Sequence, residues 1–286
     1  MGRGPTLADV DRPIGMFDSG FGGLTVARGV IDLLPHEHLV YFGDTGRYPY
    51  GNRGLDELRT FARQIGWSLV NEHDIKALVV ACNTAASAAL DVLVEEMPVP
   101  VISVIEPGAR ALVQATRHGR VGVIATVATV GSGSYQRAVA ATGADVELTC
   151  AACPGFVEFV ERGETSGDQV IVLAERLLAP VVDAGVDTLL LGCTHYPYLA
   201  RVIGDVMGPE VVLVSSAEET AFAVERELRL AGLLRDGGSP AIHRFLSSGD
   251  ISWFADLGRR LLGPELSSAD QWSVDTVALP AFPIAP

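Results

Sequence analysis

Short aliphatic runs alternate with longer stretches of helical periodicity along most of this 286-residue chain. The runs fall at residues 14–17, 38–42, 77–81, 100–104, 121–125, 145–149, 188–192 and 211–214, a length that suits strands better than helices. Between them, residues 55–72, 84–96, 132–142, 167–184 and 217–231 repeat apolar side chains at the spacing of a helix with one buried face. Continuous apolar strands separated by such helices predict parallel sheets covered on both sides, and so a doubly wound α/β class.

One pattern occurs twice. "ALVVACNTA" at 77–85 and "TLLLGCTHY" at 188–196 each run from an aliphatic strand through a small residue to a cysteine and then to polar side chains. Their separation is about one domain length, which predicts two similar α/β halves. Ligands of open parallel sheets collect outside the carboxyl ends of the strands. If the halves face each other across a central crevice, Cys82 and Cys193 both point into it. The N-terminal strand ends at the same place in "IGMFDSGFGG", residues 14–23, whose glycines permit a tight turn and close backbone approach. This is no dinucleotide fingerprint, because Thr25 stands where the third glycine is needed, and no Gly-Lys pair follows as in a P-loop. The polar, turn-rich "GDTGRYPYGNRG" at 43–54 has the character of a binding loop.

Composition narrows the chemistry. No apolar run approaches the 18–20 residues needed to span a bilayer, and the N-terminus has no apolar signal core, so a cytoplasmic protein with no membrane association is expected. A net charge of −14 without a Lys/Arg cluster argues against direct nucleic-acid binding. The four cysteines are expected as free thiols in that compartment, and the lone Cys150/Cys153 pair is read as structural, with no metal site. Lys76 is the single lysine. It precedes a strand, at the end opposite the crevice, so a pyridoxal phosphate Schiff base is not expected.

A cysteine alone at a strand end is more often core than catalyst. Two at matching strand ends shift the balance toward chemistry, and His195 beside Cys193 or a helix N-terminus would lower a thiol pKa. A Cys193–His195 pair alone would suit an amidase-like hydrolase, leaving Cys82 idle. Two thiols flanking one carbon suit stereoinversion, one removing a proton and the other returning it to the opposite face.

"FDSGFGG", "PYG", "ACNTAAS", "CPGFVEFVERG" and "LGCTHYP", in this order, closely resemble the cofactor-independent glutamate racemases over roughly residues 13–265. The resemblance implies a two-base interconversion of L- and D-glutamate, supplying D-glutamate for peptidoglycan in a bacterial cytoplasm, with no cofactor and a homodimeric assembly. It implies Cys82 and Cys193 as the acid/base thiols, assisted by Asp18 and His195, with Glu161 nearby. Ser19, Tyr50, Gly51, Asn83, Thr84 and Thr194, together with Asp18 and His195, match substrate-binding positions. An aspartate or hydantoin racemase of the same superfamily stays open as an alternative. The expected division is one domain of residues 1–104 with 212–265, a second of 105–211, and a flexible tail at 266–286.

Overall fold

The computed structural model describes residues 6–266, 268–273 and 279. Among the described residues, ten strands form two sheets: β1 (Ile14–Asp18), β2 (Leu39–Gly43), β3 (Ala77–Val80), β4 (Val101–Ser103), β5 (Arg120–Ala125), β6 (Glu147–Ala152), β7 (Thr188–Gly192), β8 (Val212–Ser215), β9 (His243–Ser247) and β10 (Asp270–Gln271). The first sheet has the order β10-β9-β2-β1-β3-β4 and the second β6-β5-β7-β8, and all of the strand pairs are parallel. The central strands β1, β2, β3 and β7 are buried along their whole length, as strands covered on both faces must be.

Among the described residues, twelve α-helices accompany them: α1 (Leu7–Val10), α2 (Leu24–Leu33), α3 (Leu55–His73), α4 (Asn83–Glu96), α5 (Ile105–Ala115), α6 (Val127–Gly131), α7 (Ser134–Ala141), α8 (Phe156–Glu161), α9 (Asp168–Asp183), α10 (Ala200–Met207), α11 (Ser216–Ala231) and α12 (Ile251–Leu262). No described helix is long and apolar enough to cross a membrane.

The duplicated sequence pattern has a topological counterpart. Within each sheet four consecutive strands are laid down in the same order: β2-β1-β3-β4 in the first, β6-β5-β7-β8 in the second. In each, the first strand is followed by one on its left and then by a third on its right. A crevice therefore opens at the carboxyl ends of the first and third strands, where connections leave in opposite directions. Cys82 follows β3 and Cys193 follows β7, the third strand of each set.

Two boundaries differ from the sequence reading. Val212–Ser215 pairs with β7 and extends the second sheet, so the chain returns to the first unit after Ser215 rather than at 212, through α11, which packs on α2 as well as α5. The tail expected to be flexible from 266 is anchored in part: β10 pairs with β9, the Trp272 indole N–H donates to Ser68 Oγ at 2.8 Å, and its ring lies 4.6 Å from that of His73. Residues 267, 274–278 and 280–286 of that expected tail lie outside the described residues.

Lys76 is fully buried before β3, with Nζ 2.5 Å from Glu37 Oε2 and donating to the carbonyls of Val10 at 2.6 Å and Leu233 at 2.9 Å. It ties three segments together at the opposite ends of the strands from the two cysteines.

Candidate active site

Both thiols reach one cavity, walled by Ser19, Tyr48, Tyr50, Thr126, Cys153 and Glu158 among others. Cys82 is the N-cap of α4: a helix start needs an acceptor for its free amides, and here the sulfur accepts from Ala85 N at 3.4 Å. The positive end of the helix dipole therefore points at the thiol. Thr126, after β5, caps α6 in the same way, accepting from Thr129 N at 3.2 Å.

Asp18 closes β1 and is fully buried. Its carboxylate accepts from Gly20 N at 2.9 Å and from Thr194 Oγ1 at 3.2 Å, a hydrogen bond from the second unit to the first. Burial raises its pKa, opposed by the nearby His195 and the donors from Gly20, Gly23 and Thr194. The glycines of the Asp18 loop make this approach possible. A Cβ on Gly22 would lie 2.5 Å from Thr194 Oγ1 and 2.7 Å from His195 Nδ1.

On the other side, the Cys193 sulfur lies 3.9 Å from His195 Nδ1, and His195 Nε2 lies 3.5 Å from Glu161 Oε1 at the end of α8. The His195 ring is edge-on to Phe21 at 4.9 Å and tilted against Tyr48 at 6.2 Å.

The expected lowering of the thiol pKa values is overturned by desolvation. Burial, together with the Asp18 charge, pushes Cys82 up to about 12, against hydrogen bonds from the Ala85 and Ser19 amides and the Ser19 hydroxyl. Cys193 is pushed up by burial and by the charges of Cys82 and Asp18, with the His195 and Tyr196 amides opposing. Removing a thiolate from water outweighs the helix terminus and the hydrogen bonds around it.

Most of the other expected site residues line the same cavity: Ser19, Gly51, Asn83, Thr84 and Thr194. Asn83 accepts from the Tyr135 hydroxyl, while its Nδ2 is buried with no partner among the described residues. Thr84 Oγ1 is 3.0 Å from Thr126 Oγ1 and 3.3 Å from Thr129 Oγ1, joining α4 to the second unit. Tyr50 differs: it borders the cavity, but its hydroxyl donates to buried Asp44, leaving ring and backbone to face the ligand space.

Sequence reasoning missed Tyr48 and Thr126. Thr126 carried a signal, since it follows the first strand of the second half as Asp18 and Ser19 follow that of the first. Cys153 also lines the cavity, with its carbonyl accepting from Tyr196 at 3.0 Å. All four cysteines are free thiols, and no group able to hold a metal occurs among the described residues.

Known proteins resemble this chain over most of its length. The profile of the Asp/Glu/Hydantoin racemase family matches residues 25–223. The chain is 52% identical over 255 residues to the glutamate racemase of Acidothermus cellulolyticus, spanning 89% of this chain and 96% of that protein. The glutamate racemase structure from Bacillus anthracis is 40% identical, covers 92% of this chain and 97% of its own, and superposes with a TM-score of 0.86. That from Francisella tularensis, in complex with D-glutamate, is 32% identical with the same TM-score, covering 94% of this chain and 100% of its own.

Proposed function

The chain belongs to the Asp/Glu/hydantoin racemase family and racemises glutamate, and from that premise we propose that Cys82 and Cys193 are its two acid/base groups. The observation that carries the reading is the placement of both thiols after the third strands of two like-ordered sheets, at one cavity. In the L-to-D direction the Cys193 thiolate takes the Cα proton, and the electron pair left on carbon delocalises into the adjoining carboxylate. The Cys82 thiol delivers its proton to the opposite face. The D-to-L direction runs the same steps with the roles exchanged.

The thiol shifts define what the substrate must supply. With Cys82 near 12, ionising it at pH 8 costs about 5 kcal/mol, at about 1.4 kcal/mol per unit. A substrate ammonium near the sulfur favours the thiolate and the two substrate carboxylates oppose it, so the donors that pair with those carboxylates decide how far binding helps ionisation. General acid–base help contributes about 10² to 10⁴ in rate. The rest of the barrier falls to preorganised donors around the carboxylate, for which Asn83 Nδ2, buried without a partner among the described residues, is suited. Asp18 assists Cys82, and His195 with Glu161 assists Cys193. The product D-glutamate goes to peptidoglycan, and a cytoplasmic homodimer is the working form.

An aspartate or hydantoin racemase, and a Cys193–His195 hydrolase that leaves Cys82 idle, are disfavoured by the extent of similarity to glutamate racemases. The deciding assay is interconversion of L- and D-glutamate by purified protein without added cofactor, followed by chiral chromatography. Both enantiomers should approach an equal mixture. Failure to racemise glutamate while acting on aspartate, or a requirement for added cofactor, would overturn the reading.

A further inference from the structure

Among the cavity walls, Tyr48 has a surrounding that packing alone does not explain. It comes from the loop after β2 in the first unit, and its ring lies 6.2 Å from that of His195 in the second. Its hydroxyl is shut off from solvent and has no hydrogen-bond partner within normal limits among the described residues. Glu161 Oε1 and His195 Nε2 share that condition, 3.5 Å from each other. Glu161 is also the charged group with the largest influence on the Tyr48 phenol, after burial itself. Three buried polar atoms of one site, each lacking a full partner, form a donor–acceptor set whose members can satisfy one another, with Glu161 acting on the Tyr48 hydroxyl through its side chain.

We propose that Tyr48 is a positioning residue for the Cys193 half of the site: its hydroxyl donates to the Glu161 carboxylate, which in turn accepts from His195 Nε2. With Nε2 carrying the hydrogen, His195 presents Nδ1 to the Cys193 sulfur 3.9 Å away. Tyr48 belongs to the first unit and the other three residues to the second, so the Glu161–His195 pair of one unit is completed by a hydroxyl from the other. The inference rests on the two-thiol reading and adds a residue to it.

The test is Tyr48→Phe, alone and combined with Glu161→Gln, in both directions of glutamate racemisation. Phenylalanine keeps the ring contacts and removes only the hydroxyl, so the melting temperature should be no lower than that of the wild type. The rate should fall about tenfold, the equivalent of one hydrogen bond to a charged group. The equilibrium constant between enantiomers is unity, so kcat/KM falls equally in both directions, and the loss should reside in kcat with KM little changed. In the Glu161→Gln background Tyr48→Phe should have no further effect, because the carboxylate it positions is gone. Wild-type rates in Tyr48→Phe, a loss confined to KM, losses that multiply independently in the double variant, or a variant that does not fold would each overturn the proposal. A wild-type protein unable to racemise glutamate would instead overturn the function on which it rests.

Discussion

Gly20 and Gly22 stand two residues apart in one loop, and replacing each by alanine has opposite expected outcomes. At Gly22 the new Cβ would lie 2.5 Å from Thr194 Oγ1 and 2.7 Å from His195 Nδ1, roughly 1 Å inside ordinary contact. Neither neighbour can step aside freely: Thr194 is hydrogen-bonded to Asp18, and the His195 ring sits between Phe21 and Tyr48 with Glu161 at its far nitrogen. Relief must come from moving the 194–195 turn or from parting the two units. Overpacking of this kind costs about 1–3 kcal/mol. A displacement of roughly 1 Å at the chemistry costs about 10²-fold in rate. At Gly20 the Cβ would meet Tyr48 Cδ2 at 3.6 Å and Thr45 Cγ2 at 4.0 Å, and the backbone there is not left-handed. Gly20→Ala should stay within about 0.5 kcal/mol of the wild type. The assay is kcat for each variant by polarimetry, with thermal unfolding in parallel. A Gly22→Ala enzyme near the wild-type rate, or a Gly20→Ala enzyme that loses as much, would refute the claim that this loop is glycine-rich to admit Thr194 and His195.

Three further outcomes follow from the same coordinates. Cys82→Ala and Cys193→Ala should each abolish net racemisation, yet each should still exchange the α-hydrogen of one enantiomer in deuterated water, read by mass spectrometry; racemisation surviving in either variant would end the two-base mechanism. Lys76→Ala should lose about 3–5 kcal/mol in urea unfolding, because Glu37 is left buried without its cation, whereas Lys76→Met with Glu37→Gln should recover stability and keep racemisation; a folded but inactive double variant would implicate the lysine in chemistry. Cys82 holds its proton in the folded state up to about 12 and releases it near 9.0 when unfolded, so unfolding is favoured as pH rises from 9 toward 12, by up to about 4 kcal/mol. Urea titrations should show Cys82→Ser losing less stability than the wild type between pH 8 and 10.5, and equal slopes would contradict the buried-thiol argument.

Strands β1 to β8 and the helices over 55–72, 84–96, 132–142, 167–184 and 217–231 were legible in the sequence, whereas α2, α5, α10 and α12 were not read, amphipathic as they are. Runs such as 77–81 and 188–192 are apolar on both faces, a pattern that only a covered parallel strand demands. His243–Ser247 was not legible, because "HRFLS" mixes polar and apolar positions and takes its strand identity from pairing with β2. The boundary at 212 was misplaced for a related reason: the run 211–214 announces a strand but not its partner, and only register assigns it to the second sheet. Asp18, Cys82, Cys193 and His195 could be placed in advance because strand ends fix positions along the chain. Tyr48 could not, since its place beside Glu161 depends on how the two sheets' loops meet. The direction of the thiol shifts was also missed, because sequence shows the neighbours of Cys82 and Cys193 but not the depth to which the two units bury them together.

The duplicated strand order and the unique side chains divide the work between them. Inversion needs an acid/base group on each face of one carbon, and two sheets of the same order, each followed after its third strand by a cysteine, suit the proposed pair. Duplication alone would leave each thiol in a half-open crevice, wet and unassisted. What closes the site occurs once: glycines 22 and 23, where a Cβ would strike Thr194, His195, Asp18 or Tyr41; Asp18, reached by Thr194; and Glu161, reached by His195 and faced by Tyr48. Several of these single-copy contacts cross between the units, so the same closure that brings the thiols together also dehydrates them and raises their pKa values. Dehydration opposes ionisation of either thiol, and it strengthens every interaction with the ammonium and carboxylates of an amino acid bound between them.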